Sequence, residues 1–410
     1  MGLNKKSIGM TEKTSTASDS DDSDFDISLS SDDSDDDSVK SVYSVNNQQD
    51  SNQNENESNE EDEVIKAIIK ENQKPRDKPP CIKVEDFVAD ICFHPNEDIL
   101  AIANIVGDVI LYKYSNEENT LLDTVELHTK ACRDVEFSTD GKTMFTASKD
   151  MSIMLTDMET RKLKTFFEKA HQNPIYCLSI IGQNTFATGD DNGIINIWDY
   201  RQPTPLLSVK KNDDYISDII PVDQNKYLCC SSGDGSLTTI DLCNNKFLMQ
   251  SVEYEEELTC LGTVRHETKL VSSSNKGKLF IFNMREFGMH SDEFPATKSS
   301  ISSFVPITEN IVVTACEDGN LRAVHLFPHR HIGIVGQHEM SVEHIDICND
   351  GRFLASCSAD NDIKFWNIKF FENFEKISHK HNKHQTKKEM QHNLPSSSKT
   401  NVGEFFSDLA

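Results

Sequence analysis

Between residues 81 and 374 short apolar runs recur at a steady pitch, separated by turns rich in Gly, Asp, Asn and Lys. One unit shows the grammar. Asp134-Val135-Glu136-Phe137 alternates as a strand, Thr139-Asp140-Gly141-Lys142 is a turn, and Thr143-Met144-Phe145-Thr146-Ala147-Ser148 reads as a second strand. Lys149-Asp150 turns into a third at Ser152-Ile153-Met154-Leu155, and Lys162-Leu163-Lys164-Thr165-Phe166-Phe167 supplies a fourth. The phrase returns as Ile91-Cys92-Phe93-His94-Pro95 before Leu100-Ala101-Ile102-Ala103, and as Ile345-Asp346-Ile347 before Phe353-Leu354-Ala355-Ser356. The third strands carry an aromatic or β-branched residue at Tyr112, Thr156, Trp198, Ile240, Phe282, Val324 and Trp366, in one step of 44 and then steps of 42. Four short strands per fixed period predict an all-β fold, a seven-bladed propeller whose blades bury both faces against their neighbours.

Such a ring must close. Cys81-Ile82-Lys83-Val84 precedes the first unit and is unpaired within it, so it is expected to supply the outer strand of the last blade and remove an open edge. Lys369 to Phe374 is the competing segment. The resulting organisation is an acidic tail over 1–63, a short amphipathic helix and Pro-rich linker over 64–80, the propeller over 81–374 and a Lys/His-rich tail over 375–410. The helix rests on Val64, Ile65, Ile68 and Ile69, which share one face, and Pro75, Pro79 and Pro80 end it.

His338, Ser356, Asp360 and Trp366 stand at the offsets where WD40 blades build a buried hydrogen-bonded relay. The likeness to a Ser-His-Asp triad is superficial, because here the serine is expected to be buried with its hydroxyl satisfied. The second unit keeps His128, Thr146 and Asp150 with Thr156 in place of Trp. The third keeps His171, Thr188 and Trp198 with Asn192 in place of Asp, and the other units lack the His, with Asp234 and Asp318 still at the turn. No P-loop, HExxH or GxSxG pattern is present, so no catalytic residue, cofactor or metal site is assigned.

Charge separates the tails from the ring. The formal net charge is -27, and residues 1–65 hold 18 Asp or Glu against Lys5, Lys6, Lys13 and Lys40, a net of -14. With few large apolar side chains, residues 1 to about 63 are expected to be disordered. Ser18, Ser20, Ser23, Ser31 and Ser34 precede or interrupt acidic clusters and are candidate phosphorylation sites, a role compatible with that of an entropic, solubilising tail. A propeller that is itself net acidic argues against broad phosphate-backbone binding, so RNA contact is expected to be indirect or local. The 11 cysteines include no CxxC pair and mostly fall on strands, which fits a reducing compartment; no apolar run of membrane or secretory type appears, so no membrane is implied and the location is expected to be cytoplasmic or nuclear. The tail run His379-Lys380-His381-Asn382-Lys383-His384 reads as a weak nuclear or nucleolar retention signal.

Binding on a propeller is expected at the rims, on the face whose turns carry the relay His and Asp residues. Projecting the period onto that face selects Arg133, Lys149, Tyr176, Asp191, Tyr215 and Glu343 as candidate protein-binding positions. On the opposite rim, Ile197-Trp198-Asp199-Tyr200-Arg201 matches the WDxR pattern of substrate receptors that dock on the adaptor of a cullin-RING ubiquitin ligase. Trp-Asp is common there for packing, so Asp199 and especially Arg201 carry that alternative.

Three features together resemble the WD repeat-containing protein 55 family. These are the acidic N-terminus, the first unit with Ile91-Cys92-Phe93-His94-Pro95 and Gly107-Asp108-Val109, and a tail with Ser398-Lys399-Thr400 followed by Glu404-Phe405-Phe406-Ser407-Asp408-Leu409. The resemblance covers the chain from about Cys81 onward. It implies a nucleolar, nuclear protein in ribosomal RNA processing and ribosome biogenesis, a non-enzymatic scaffold whose partners are pre-ribosome assembly factors or basic ribosomal proteins.

Overall fold

The computed structural model describes residues 77–373. The acidic segment 1–63 with its five candidate phosphorylation serines, the helix over 64–70 and the tail over 375–410 lie outside the described residues. Among the described residues, 28 strands form seven four-stranded antiparallel sheets, and the chain ends in a 3-10 turn over Lys369–Asn373. The first strands of the blades are Val88–Phe93, Cys132–Phe137, Ile175–Ile180, Ile216–Val222, Leu258–Val264, Ile301–Pro306 and Val342–Ile347. Each packs on the first strand of the next blade, and the seventh returns to the first, which makes the seven-bladed β-propeller.

The strands of the second blade, Cys132–Phe137, Thr143–Ser148, Ile153–Asp157 and Lys162–Phe167, coincide with the pattern of hydrophobic positions. The period has a packing origin. Each of its seven residues sits on a third strand, paired across to an apolar residue of the second: Leu100 with Tyr112, Met144 with Thr156, Phe186 with Trp198 and Leu354 with Trp366. The middle blades pair Leu228 with Ile240, Leu270 with Phe282 and Val312 with Val324. These cross-strand pairs fill the space between blades, which fixes which face of each strand is buried. Trp366 takes up its place because Gly336 lies flat beneath it; a Cβ there would stand 2.5 Å from the indole.

Ile82–Lys83 is the outer strand of the last blade, with Ile82 opposite Ile363 and Lys83 opposite Asp362. It is shorter than the four residues expected, because Val84 already leaves the ladder to donate to the Asn361 carbonyl. Ile82 is buried in a cluster with Phe93, Ile363 and Phe365, so the two ends of the ring share one core. The competing segment forms the 3-10 turn instead, and its Phe371 plugs the core between the sixth and seventh blades.

Truncating the closing strand tests its contribution. Ile82→Ala removes a buried side chain at the seam and is expected to lower stability by about 2–4 kcal/mol, measured as a lower urea midpoint with an unchanged slope.

Candidate functional site

The turns of one rim are held by the relay. In the last blade His338 Nδ1 lies 3.2 Å from Asp360, His338 Nε2 lies 2.7 Å from Ser356 Oγ, and the Trp366 indole donates to the same oxygen at 2.8 Å. A carboxylate only accepts, so Nδ1 carries the proton and the Ser356 hydroxyl donates to Nε2. Ser356 is fully buried and both its neighbours are satisfied, which leaves it no role as a nucleophile. Burial pulls His338 and His128 below the usual imidazole range, outweighing the attraction of Asp360 and Asp150, so both rings are neutral at neutral pH.

In the third blade the structure corrects the expectation that Asn192 replaces the relay Asp. Asp190, two residues earlier, takes that place: His171 Nδ1 is 3.2 Å from it, Nε2 is 2.7 Å from Thr188, and Trp198 donates to Thr188 at 2.9 Å. Asn192 only donates its amide to Asp190. In the second blade His128 reaches Ser152, Thr146 and Asp150, and Thr156, too short to replace the indole, keeps a buried hydroxyl with no partner. Where the His is absent, Asn212 bonds Ser236 and Thr238 in the fourth blade, and Glu256 bonds Ser274 and Lys278 in the fifth.

Four of the six rim candidates line the mouth of one central cavity of about 440 Å³: Arg133, Tyr176, Tyr215 and Glu343. The Arg133 guanidinium is 2.5 Å from Asp191 and leans over the Tyr176 ring at 5.3 Å; Tyr176 meets Tyr215 at 4.8 Å, and Tyr215 donates to Glu257 at 3.1 Å. Asp191 thus belongs to the cluster through Arg133. Lys149 does not; it is exposed on its turn, away from the cavity lining. Glu343 accepts from Ser341 at 2.6 Å.

Below the mouth lies a set of side chains that the sequence reading passed over. Each inner strand turns one edge to the channel, where no further strand can satisfy its polar groups. A carboxylate of the preceding blade does so instead. Asp90 accepts from the Val135 amide at 2.9 Å, Asp134 from Leu178 at 2.6 Å, Glu136 from Ile180 at 2.9 Å, Asp218 from Leu261 at 2.7 Å and Asp346 from Phe93 at 2.7 Å. The last of these spans the seam of the ring. Hydroxyls staple the carbonyls in the same way, Ser217 to Leu258 at 2.6 Å and Thr259 to Ile301 at 2.7 Å. The signal was present as Asp90, Asp134 and Asp218 at the repeat period, on the polar face of strands read for their apolar face.

Burial and mutual repulsion raise the acids. Asp134 and Glu136 sit well above the usual carboxylate range, chiefly through burial, with Asp90 adding repulsion to both; burial lifts Asp346 to about 6 against the amide bonds of Phe93 and Ile347. His344, partly exposed, is the cation among them, 2.7 Å from Asp90. Burial opposes its charge, but Asp90, with Asp346 and Asp134 behind it, raises it to about 9.

On the opposite rim Arg201 folds back on Asp199 through Nε at 2.8 Å and Nη2 at 2.5 Å, and its own amide donates to Asp199 at 3.0 Å. The turn itself therefore uses Arg201, although the side chain remains 62% exposed.

A family model, WDR55, matches residues 79–371. A WD repeat-containing protein 55 homolog of Aedes aegypti is 54% identical over 86% of this chain and 75% of its own length. Homologs of the same name in Drosophila yakuba and Drosophila willistoni are 48% and 49% identical, over 89% and 90% of this chain and 73% of their own lengths.

The relay makes a paired prediction. Ser356→Ala strands His338 Nε2 and the Trp366 indole and is expected to cost about 1–3 kcal/mol, whereas Thr156→Val removes an orphan hydroxyl and is expected to be neutral or stabilising; thermal melts of the two variants separate them. The channel predicts a pH dependence. Asp346, Asp134, Glu136 and His344 hold protons more tightly folded than unfolded, so stability falls as pH rises from the ordinary carboxylate range of about 4, through about 6 for Asp346 and on through about 9 for His344. On the acid side, Asp150 is opposed by burial but held at about 2 by Ser152, Thr129 and His128, so its contribution is lost as pH falls from the unfolded value toward 2. The lowered His338 and His128 act in the opposite sense, favouring the fold as pH rises toward their unfolded value, so the channel is read by difference: Asp346→Asn is expected to flatten the channel's share of the descent between about pH 4 and 6, measured by thermal melts across pH.

Proposed function

The chain belongs to the WDR55 family of WD-repeat proteins, and on that premise we propose that it is a non-enzymatic interaction scaffold working in the nucleolus, in ribosomal RNA processing and ribosome assembly. The observation that carries the scaffold reading is the channel mouth, where Arg133, Tyr176, Tyr215 and Glu343 converge on one face of a rigid ring. Aromatic and Arg side chains supply large contact area with directional hydrogen bonds, the composition of interface anchors. The relay beneath them serves to hold the turns. The ribosomal part of the reading rests on the family resemblance, and it accords with the acidic tail over 1–63, which would attract basic ribosomal proteins or assembly factors from a distance. The ubiquitin-ligase alternative has less behind it than the motif suggested, since Arg201 has an intramolecular partner in Asp199.

The scaffold is expected to co-sediment with pre-ribosomal particles, and its depletion to accumulate unprocessed ribosomal RNA precursors. Arg201→Ala is expected to leave that sedimentation unchanged. Absence from the particles sinks the ribosomal reading, and loss of a cullin-ligase adaptor from affinity purifications of the Arg201→Ala protein would favour the alternative.

A further inference from the structure

The channel carries more carboxyl groups than its own structure uses, and a cation entering it displaces the protons that burial holds on Asp134 and Glu136. Asp134 and Glu136 lie two residues apart on one strand, Cys132–Phe137, and both line the cavity. One oxygen of each staples the third blade; the other, Asp134 Oδ1 and Glu136 Oε1, accepts no hydrogen bond, and neither residue has an ion-pair partner among the described residues. The cationic side chains in the lining are engaged elsewhere, His344 with Asp90 and Arg133 with Asp191. A second, separate feature points the same way. Ser303, 2% exposed, lines the cavity, and its hydroxyl has no hydrogen-bond partner better than the weakly accepting Cys260 thiol. A buried hydroxyl left so loses free energy that an incoming polar group restores.

The mouth fits the same visitor. Tyr176, 39% exposed, and Tyr215 form an aromatic wall at the entrance, and Glu257 and Glu343 stand on the rim beside it. Methylenes pass well along such a wall, and a planar cation at its end is attracted both by the rings and by the carboxylates below. Two acceptors on separate residues, whose Cα atoms stand about 7 Å apart along the strand, suit the forked donors of a guanidinium better than the single point of an ammonium.

We propose that the channel mouth receives one arginine side chain presented by a partner protein, its stem against Tyr176 and Tyr215 and its guanidinium donating to Asp134 Oδ1 and Glu136 Oε1. This deepens the scaffold reading and rests on it, by naming the chemistry of the partner's anchor. The free carboxyl oxygens give the site its acceptors, ionised as the guanidinium displaces their protons, and the tyrosines give it direction.

The test uses the full chain and a fluorescein-labelled Gly-Ser-Arg-Ser-Gly peptide, with citrulline and lysine versions, read by fluorescence anisotropy at low salt. The arginine peptide is expected to bind at least about tenfold more tightly than either other version. Asp134→Asn and Glu136→Gln each keep the acceptor for the neighbouring amide, so both are expected to fold, checked by circular dichroism, and each to weaken the arginine peptide by about tenfold. Asp157→Asn, on the opposite rim, is expected to change nothing. Equal binding of the citrulline peptide, equal binding of the lysine peptide, no binding at all, or indifference to both channel substitutions overturns the proposal. If the peptide fails while the protein still co-sediments with pre-ribosomal particles, the arginine site alone falls. If the peptide binds and co-sedimentation fails, the ribosomal reading alone falls.

Discussion

A closed ring of sheets leaves every innermost strand with one edge that no strand can pair, and those polar groups must be satisfied in the channel. The protein meets this constraint with side chains of the neighbouring blade. Carboxylates at Asp90, Asp134, Glu136, Asp218 and Asp346 take amides, and Ser217, Thr259 and Arg133 reach carbonyls. Each such bond links consecutive blades, so the same groups that satisfy the edge also set the spacing of the ring. The cost is a concentration of buried negative charge, which shows itself in the raised carboxyls and in the protonated His344.

Much of the fold was readable because its information is periodic. The third-strand residues from Tyr112 to Trp366 recur at a fixed step because they fill equivalent space between blades, and the relay of His338, Ser356, Asp360 and Trp366 follows from fixed offsets within one blade. Asp190 was missed for a geometric reason. It occupies the strand-end position held by Ser148 and Ser358 in the second and seventh blades, and reaches the same imidazole nitrogen from the strand rather than from the turn. A carboxylate has reach enough to serve from either place, so the offset rule fails while the chemistry holds.

The channel acids were harder to read, because their partners lie about one full repeat away in the chain or, for Asp346, across the seam. Nothing local distinguishes Asp134 from any polar residue on an alternating strand, and only the amide of Leu178 explains it. Arg201 is the reverse case, since its bond to Asp199 is local and a pattern read for an external partner has an internal one.

The seam also sets an order of events in time. Asn361 reaches the Glu85 carbonyl across 276 residues, and Asn367 reaches that of Asp77 across 290. During synthesis Ile82 and Lys83 emerge before every other described strand, yet the strand they must pair with is the last of them. The early blades can stack as they appear, but the seventh has no outer edge until its partner, waiting since the start, is brought back to it. Folding of this ring is therefore completed by the slowest kind of contact a chain makes, and the growing protein carries an unsealed blade surface until that contact forms.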